Sequence, residues 1–339
     1  MTEQPADTRS TPEPELPPAL MVNTRDALET LPDLLRSSTR LAVDTEANSL
    51  HAYREQICLI QISTPSTDYL IDPFSVKDLS PLSEIFTDSK ILKIFHAAEY
   101  DLICLKRDYS FQFANIFDTM VAARILGETH VGLGALLLAN FGIELDKHFQ
   151  RANWGTRPLS RAMLDYARMD THYLFALQQL FESRLKERRL YELALEDFSI
   201  LCDTQPGGSE SSGRSWWKVA GSTHLSGREA SILQSLCDYR DEQAQKMDLP
   251  HFKVLSNDLL LSLCQDPPQS LDELRQVHGV TERLFNRYGA SLLLAIQKGQ
   301  FAKPLNRPAR IRPDEQFIAR FDALKEWRKV KGRELKIES

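Results

Sequence analysis

The chain has 339 residues, 42% of them hydrophobic and 26% charged, so it is long enough for two folded domains and lies outside the composition of disordered chains. A net charge of −6 excludes polyanion binding through overall charge and leaves only a local basic face for that purpose. The densest apolar stretch, residues 133–143, is broken by Gly134, Asn140 and Gly142 and falls short of the roughly 18 residues a membrane span needs, so no membrane partner is expected.

Residues 1–18 are acidic and proline-rich, with neither the basic nor the apolar segment of a secretory signal. They read as a disordered leader on a cytoplasmic protein. Asn23 or Thr24 caps a predicted helix over 26–36, in which Leu28, Leu31 and Leu35 recur at helical spacing. Short apolar or alternating runs then predict strands at 41–46, 57–63, 68–72 and 91–95, with a fifth at 113–117. Helical patterns follow at 100–107, 119–126 and 132–141, and one long helix is predicted from Ser160, its N-cap, to about residue 187. Residues 19–202 therefore read as one α/β domain with a mixed sheet.

A Gly/Ser-rich stretch at 203–215 reads as a linker. Beyond it, amphipathic helices are expected at 228–245, 256–264, 270–277, 281–288 and 289–298, which makes 216–300 a small all-α bundle. The five cysteines (58, 104, 202, 237 and 264) form no C-x-x-C pair and are expected as free thiols. Residues 301–339 carry 11 basic and six acidic side chains and end in a charged amphipathic helix over 314–331. There Phe321, Leu324 and Trp327 repeat the spacing of Leu233, Leu236 and Tyr239 after 88 residues. The segment reads as a basic linker and the start of a second, incomplete copy of the helical unit, expected to lie near a nucleic-acid path.

Chemistry is suggested by carboxylates at element ends. Residues i and i+2 of a strand share a face, so Asp44 and Glu46 converge at the end of the apolar run Leu41-Ala-Val. About six acid-x-acid pairs are expected by chance at this composition, so the strand-end context is what matters. Asp101 follows the 91–95 strand near a helix start, and Tyr166 and Asp170 lie four apart on one helix face. Singly, Asp101 reads equally as a helix cap, Tyr166 as a core residue and Asp170 as a solvated acid. Together the four acids form a candidate cage for two Mg²⁺ or Mn²⁺ ions, the arrangement that hydrolyses phosphodiesters.

Val43-Asp-Thr-Glu, His96-Ala-Ala-Glu-Tyr-Asp101-Leu and Tyr166-Ala-Arg-Met-Asp170 resemble the three exonuclease motifs of the ribonuclease D family, the tyrosine branch of the DEDD 3′→5′ exonucleases. Leu59-Ile-Gln-Ile-Ser and Asn153-Trp-Gly-Thr-Arg-Pro-Leu-Ser resemble its connecting segments. The resemblance covers about residues 20–200 and implies a ribonuclease-H-like fold. It also implies metal ligation by Asp44, Glu46, Asp101 and Asp170, water positioning by Tyr166, and release of nucleoside 5′-monophosphates from RNA 3′ ends, with tRNA precursors as substrate. Gln61, His96, Trp154 and Arg157 are the expected substrate-binding residues, Trp154 stacking on a base and Arg157 holding a phosphate. A DNA exonuclease and a non-catalytic RNA-binding protein remain the alternatives.

Residues 222–300 resemble the HRDC module through Leu225-Ser-Gly-Arg-Glu, Tyr239-Arg-Asp-Glu-Gln-Ala, Leu249-Pro-His-Phe-Lys-Val-Leu-Ser and Pro268-Gln-Ser-Leu-Asp-Glu-Leu. Tyr239 stands where that pattern usually has Trp. The resemblance implies a helical bundle that assists nucleic-acid binding, with a purely structural or protein-binding role as the alternative because this copy is not strongly basic.

Overall fold

The run Ile57-Cys-Leu-Ile has no polar face, which suits a strand covered on both sides, and it lies in the middle of the sheet. The structure, a computed structural model, describes residues 19–206, 215–307 and 314–335. The expected leader, most of the expected linker and parts of the basic tail lie outside the described residues. Six strands form one sheet in the order β1-β4-β3-β2-β5-β6. They are β1 (Ala19–Val22), β2 (Arg40–Ala47), β3 (Ile57–Ser63), β4 (Asp68–Ile71), β5 (Leu92–Phe95) and β6 (Ile116–Asp118). The pairs β2/β3 and β3/β4 are antiparallel and the remaining three parallel, so the sheet is mixed, as expected. Strand β1 was not expected: its four residues pair with β4, far along the chain.

The helices of this region are α1 (Arg25–Arg36), α2 (Pro73–Val76), α3 (Ser83–Thr87), α4 (Glu99–Tyr109), α5 (Thr119–Ile125), α6 (Leu133–Phe141), α7 (Arg161–His172), α8 (Leu174–Glu187) and α9 (Tyr191–Asp203). Of the two candidate caps, Thr24 caps α1 by accepting from the Ala27 N–H at 3.3 Å. Ser160 caps α7 as expected, accepting from the Met163 N–H. The predicted single helix from Ser160 onward is instead two, α7 and α8, meeting at Tyr173. Near that break Thr171 turns its hydroxyl back to the Arg168 carbonyl at 3.2 Å, a bond that bends helices. The bend lets α7 cover β2, β3 and β4 while α8 packs on β5 and α5.

The second region consists of α10 (Gly227–Met247), α11 (His251–Val254), α12 (Asn257–Gln265), α13 (Leu271–Gln276) and α14 (Glu282–Phe301). The expected break at Gly289 is absent, and α14 runs through it; the Phe285 ring lies 3.2 Å from where a Cβ at Gly289 would stand, so the glycine accommodates that ring instead of ending the helix. Helices α10 and α14 form the main contact of the bundle, and at their closest approach any side chain at Gly299 would overlap the Ile232 backbone. The last helix, α15 (Glu315–Leu335), keeps Phe321, Leu324 and Trp327 exposed, the last two by more than 60%. All five cysteines are free, and among the described residues no helix is long and apolar enough to cross a membrane.

Candidate active site

Strand β2 brings Asp44 and Glu46 to one face, opposite Gln61 and Leu59 of β3, and a register shift follows Glu46. Irregularities of this kind re-aim side chains at the rim of a sheet. Helix α7 lies across that face and lowers Asp170 onto the pair, so that one carboxylate oxygen from each of Asp44, Glu46 and Asp170 lies within 4.8 Å of the others. The position of α7 is locked from beneath. Arg168 and Asp68 form a buried ion pair at 2.9 Å, and the Ser63 hydroxyl bonds both Asp68 and Thr171 at 2.7 Å. Burial raises the Asp68 carboxyl, but hydrogen bonds from His172, Ser63 and Arg168 outweigh it and hold the group below its ordinary range.

Among the described residues no side-chain donor offsets the burial of the three acids; only Asp44 has a lowering contact, a hydrogen bond from the Thr45 backbone. Burial pushes Asp44 up to about 7. Burial and the neighbouring charges of Asp44, Asp170 and Asp101 push Glu46 up to about 10. Asp170 is raised by burial and by Asp44. Among the described residues no basic side chain figures among the groups acting on these three. Hard oxygen donors converging without a counter-cation fit a divalent metal ion.

Asp101 stands beside this trio. It is buried, accepts a hydrogen bond from the Thr45 hydroxyl, and is raised by burial and then by the charge of Asp44. Its helix is aimed by a buried residue that the sequence reading overlooked. Asp118 caps α5 through the Met120 and Val121 N–H groups and also accepts from Ala97 and Ala98 at 3.2 and 2.7 Å. Ala97 has φ +61°, an unfavourable conformation for a residue with a Cβ, and these bonds hold it there at the entry to α4. An aspartate at a strand–helix junction was the available signal.

Tyr166 lies half-buried near the acids, its ring 5.8 Å from Phe149 and 6.0 Å from Trp154. Burial and the charges of Asp170, Glu46 and Asp44 push its hydroxyl far above the ordinary phenol range, so it is a protonated donor at neutral pH. His96 is kept neutral, burial pushing it down to about 4. Its Nδ1 lies 2.9 Å from the Thr119 hydroxyl, and that hydroxyl donates to the Phe95 carbonyl. The network therefore assigns the proton to Nδ1.

Three of the expected substrate-binding residues need correction. Gln61 is wholly buried, and its amide oxygen and nitrogen have no hydrogen-bond partner among the described residues. It cannot meet a substrate as it stands. Trp154 is 1% exposed and packs in the cluster that supports Tyr166, so it offers no face to a base. Arg157 is already engaged: its guanidinium bonds both oxygens of Asp72 at 2.8 and 2.9 Å and the carbonyls of Cys58, Trp154 and Thr156, and it stacks over Phe74 at 4.5 Å. It braces the loop to the sheet. Arg157→Ala is accordingly expected to cost about 2 kcal/mol of stability, since it strands a buried carboxylate, while leaving the salt dependence of RNA binding unchanged. Urea melts and binding titrations at several salt concentrations check both parts.

Residues 20–186 match the 3′-5′ exonuclease family and residues 229–296 the HRDC domain. The chain is 36% identical over 265 residues to an exosome complex component 10 homolog of Caenorhabditis elegans, covering 75% of this chain and 30% of that protein. It is 28% identical over 290 residues to ribonuclease D of Desulfotalea psychrophila, covering 85% and 77%. The crystal structure of Escherichia coli RNase D, described as an exoribonuclease involved in structured RNA processing, superposes with a TM-score of 0.72 at 26% identity, covering 94% of this chain and 86% of that one. The chain thus spans about 30% of the length of the exosome relative and most of the ribonuclease D relatives. With motifs, fold and both domain matches in agreement, the chain belongs to the ribonuclease D family: a 3′-5′ exonuclease domain followed by an HRDC domain.

Proposed function

We propose that the protein is a divalent-metal-dependent 3′→5′ exoribonuclease that removes nucleoside 5′-monophosphates from the 3′ ends of structured RNA, tRNA precursors among them, in the cytoplasm. The observation that carries this reading is the convergence of Asp44, Glu46 and Asp170 within 4.8 Å with no basic side chain offsetting them among the described residues. Asp44, Glu46, Asp101 and Asp170 would hold two ions, Mg²⁺ or Mn²⁺. When bound, such ions supply an activated water and a countercharge for the leaving oxygen.

The chain's own residues do the rest. Asp44 and Glu46 are fixed by strand pairing and Asp170 by the Arg168–Asp68 lock, so the oxygen donors need little reorganisation on binding. The Tyr166 hydroxyl, kept protonated by its surroundings, donates a hydrogen bond that orients the attacking water or the scissile phosphate. Asp118 holds the entry to α4 and with it Asp101. We further read residues 19–202 and 216–300 as two structural units, with the second contributing to RNA binding.

The test uses matched RNA and DNA strands with free or blocked 3′ ends, incubated with Mg²⁺ or with chelator. Mononucleotides released from the RNA with a free 3′ end, and only with the metal, are expected. Internal fragments, hydrolysis of blocked ends or full activity in chelator would overturn the proposal.

A further inference from the structure

The loop expected to touch substrate through Trp154 and Arg157 turns both of them inward, and presents a different residue to solvent. Arg151 is exposed, and its guanidinium makes no ion pair among the described residues. It borders a groove of about 400 Å³ between the two domains, lined by Leu50, His51, Arg151, Phe252 and Lys253. Leu50 and His51 follow Glu46 by four and five residues, Arg151 belongs to the loop that packs on Tyr166, and Phe252 and Lys253 belong to α11 of the HRDC region.

These elements are held together by specific contacts. His51 bridges both sides. Lys253 Nζ donates to its Nδ1 at 3.4 Å, which leaves Nε2–H to donate to the Arg151 carbonyl at 3.0 Å. Tyr53, two residues on, packs against the helical core. Its hydroxyl donates to buried Asp241 at 2.8 Å and its backbone N–H to Asp248 at 3.0 Å, and its ring meets His251 edge-on at 5.5 Å. The same Asp241 oxygen lies 2.9 Å from His251 Nε2, one residue before Phe252.

The chemistry of the lining is selective. In a chain of net charge −6, the ionisable side chains here are Arg151, Lys253 and His51, with no carboxylate among the lining residues. Phe252 is 55% exposed beside them. An aromatic face flanked by cations matches a single strand of nucleic acid, whose bases stack on the ring while its phosphates meet the charges.

We propose that this groove is a binding subsite for the single-stranded RNA upstream of the 3′-terminal nucleotide, with Phe252 stacking on a base and Arg151 and Lys253 on phosphates. The inference rests on the exoribonuclease reading and extends it by making the HRDC region one wall of the substrate path. Phe149 and Trp154, in the same loop as Arg151, support Tyr166, so strand occupancy and the candidate active site share one element.

The experiment measures binding of 5′-labelled oligoribonucleotides, a dinucleotide and a strand of about twelve residues, to the full chain in chelator over a range of salt. Wild type is expected to prefer the longer strand. Phe252→Ala should reduce that preference about tenfold, as expected for loss of one stacking platform. Arg151→Ala combined with Lys253→Ala should lower the slope of log affinity against log salt by about 1.4. Wild-type affinity and slope in these variants would overturn the subsite; so would equal losses for both lengths with a lowered melting temperature, which would mean structural support alone. Preference of the wild-type groove for a peptide over the strand would overturn it as well. RNA hydrolysis by the wild type is followed in parallel. If hydrolysis occurs and the variants bind normally, only the subsite falls, whereas a wild type that neither binds nor hydrolyses RNA overturns the exoribonuclease reading too.

Discussion

Asp44→Asn and Asp170→Asn are each expected to reduce RNA hydrolysis by about 10³-fold or more while the protein stays folded. Each removes one anionic oxygen from the donor set proposed to neutralise and place divalent ions, and on that proposal the lost interaction acts on the charge that develops during reaction. Folding should not suffer, because in the absence of metal these carboxylates repel one another in a partly desolvated place. The pH dependence gives an independent check. Asp44 in the folded chain is pushed up to about 7 from 3.8, so between those values the folded state binds more protons than the unfolded one. Its contribution to stability is therefore greatest at low pH and is lost as pH rises through about 7. In chelator at pH 8, Asp44→Asn should melt at or above the wild-type temperature, and the difference should fade below about pH 4. Turnover assays in Mg²⁺ and thermal melts in chelator decide the matter; near-normal turnover in either variant would mean that the acid is not a metal ligand.

Tyr166→Phe is expected to lower turnover by about 10²-fold with KM changed by less than about threefold, the pattern for losing one positioned hydrogen bond made mainly in the transition state. The ring's contacts with Phe149 and Trp154 do not involve the hydroxyl, so the variant should fold as the wild type does. Because the phenol is raised by burial and by four neighbouring acids, the defect should be constant from neutral to mildly alkaline pH. Steady-state kinetics across that range check this. An unchanged rate would make Tyr166 a packing residue only.

Much of the candidate site is written locally. Asp44 and Glu46 are two apart on a strand and Tyr166 and Asp170 four apart on a helix, and those spacings place the side chains on shared faces as soon as each element forms. The apolar run of β3, the Thr24 and Ser160 caps and the mixed α/β class follow from the same short-range rules. That reading also located His96 and Asp101 at a strand–helix junction, although Asp118, which holds the junction, lies just beyond the expected strand and went unnoticed.

The errors share a cause. Trp154 and Arg157 lie in a loop with turn signals, and local pattern does not distinguish a loop side chain facing solvent from one facing the sheet. Arg157 turns inward because Asp72, 85 residues earlier, leaves a buried carboxylate that needs a guanidinium. Gln61 reads as a polar position on a strand, yet α7 closes over it. Strand β1 exists through pairing with β4, and the α7–α8 break reflects the surfaces on which each half packs. The groove between Arg151 and Phe252 joins residues about a hundred apart. What the sequence by itself determined is the set of chemical groups and their local faces, since dihedral preference and side-chain periodicity act over a few residues. Only the tertiary structure decided which loop side chains are buried and how the domains meet, because burial and ion pairing depend on neighbours that the chain brings from far away.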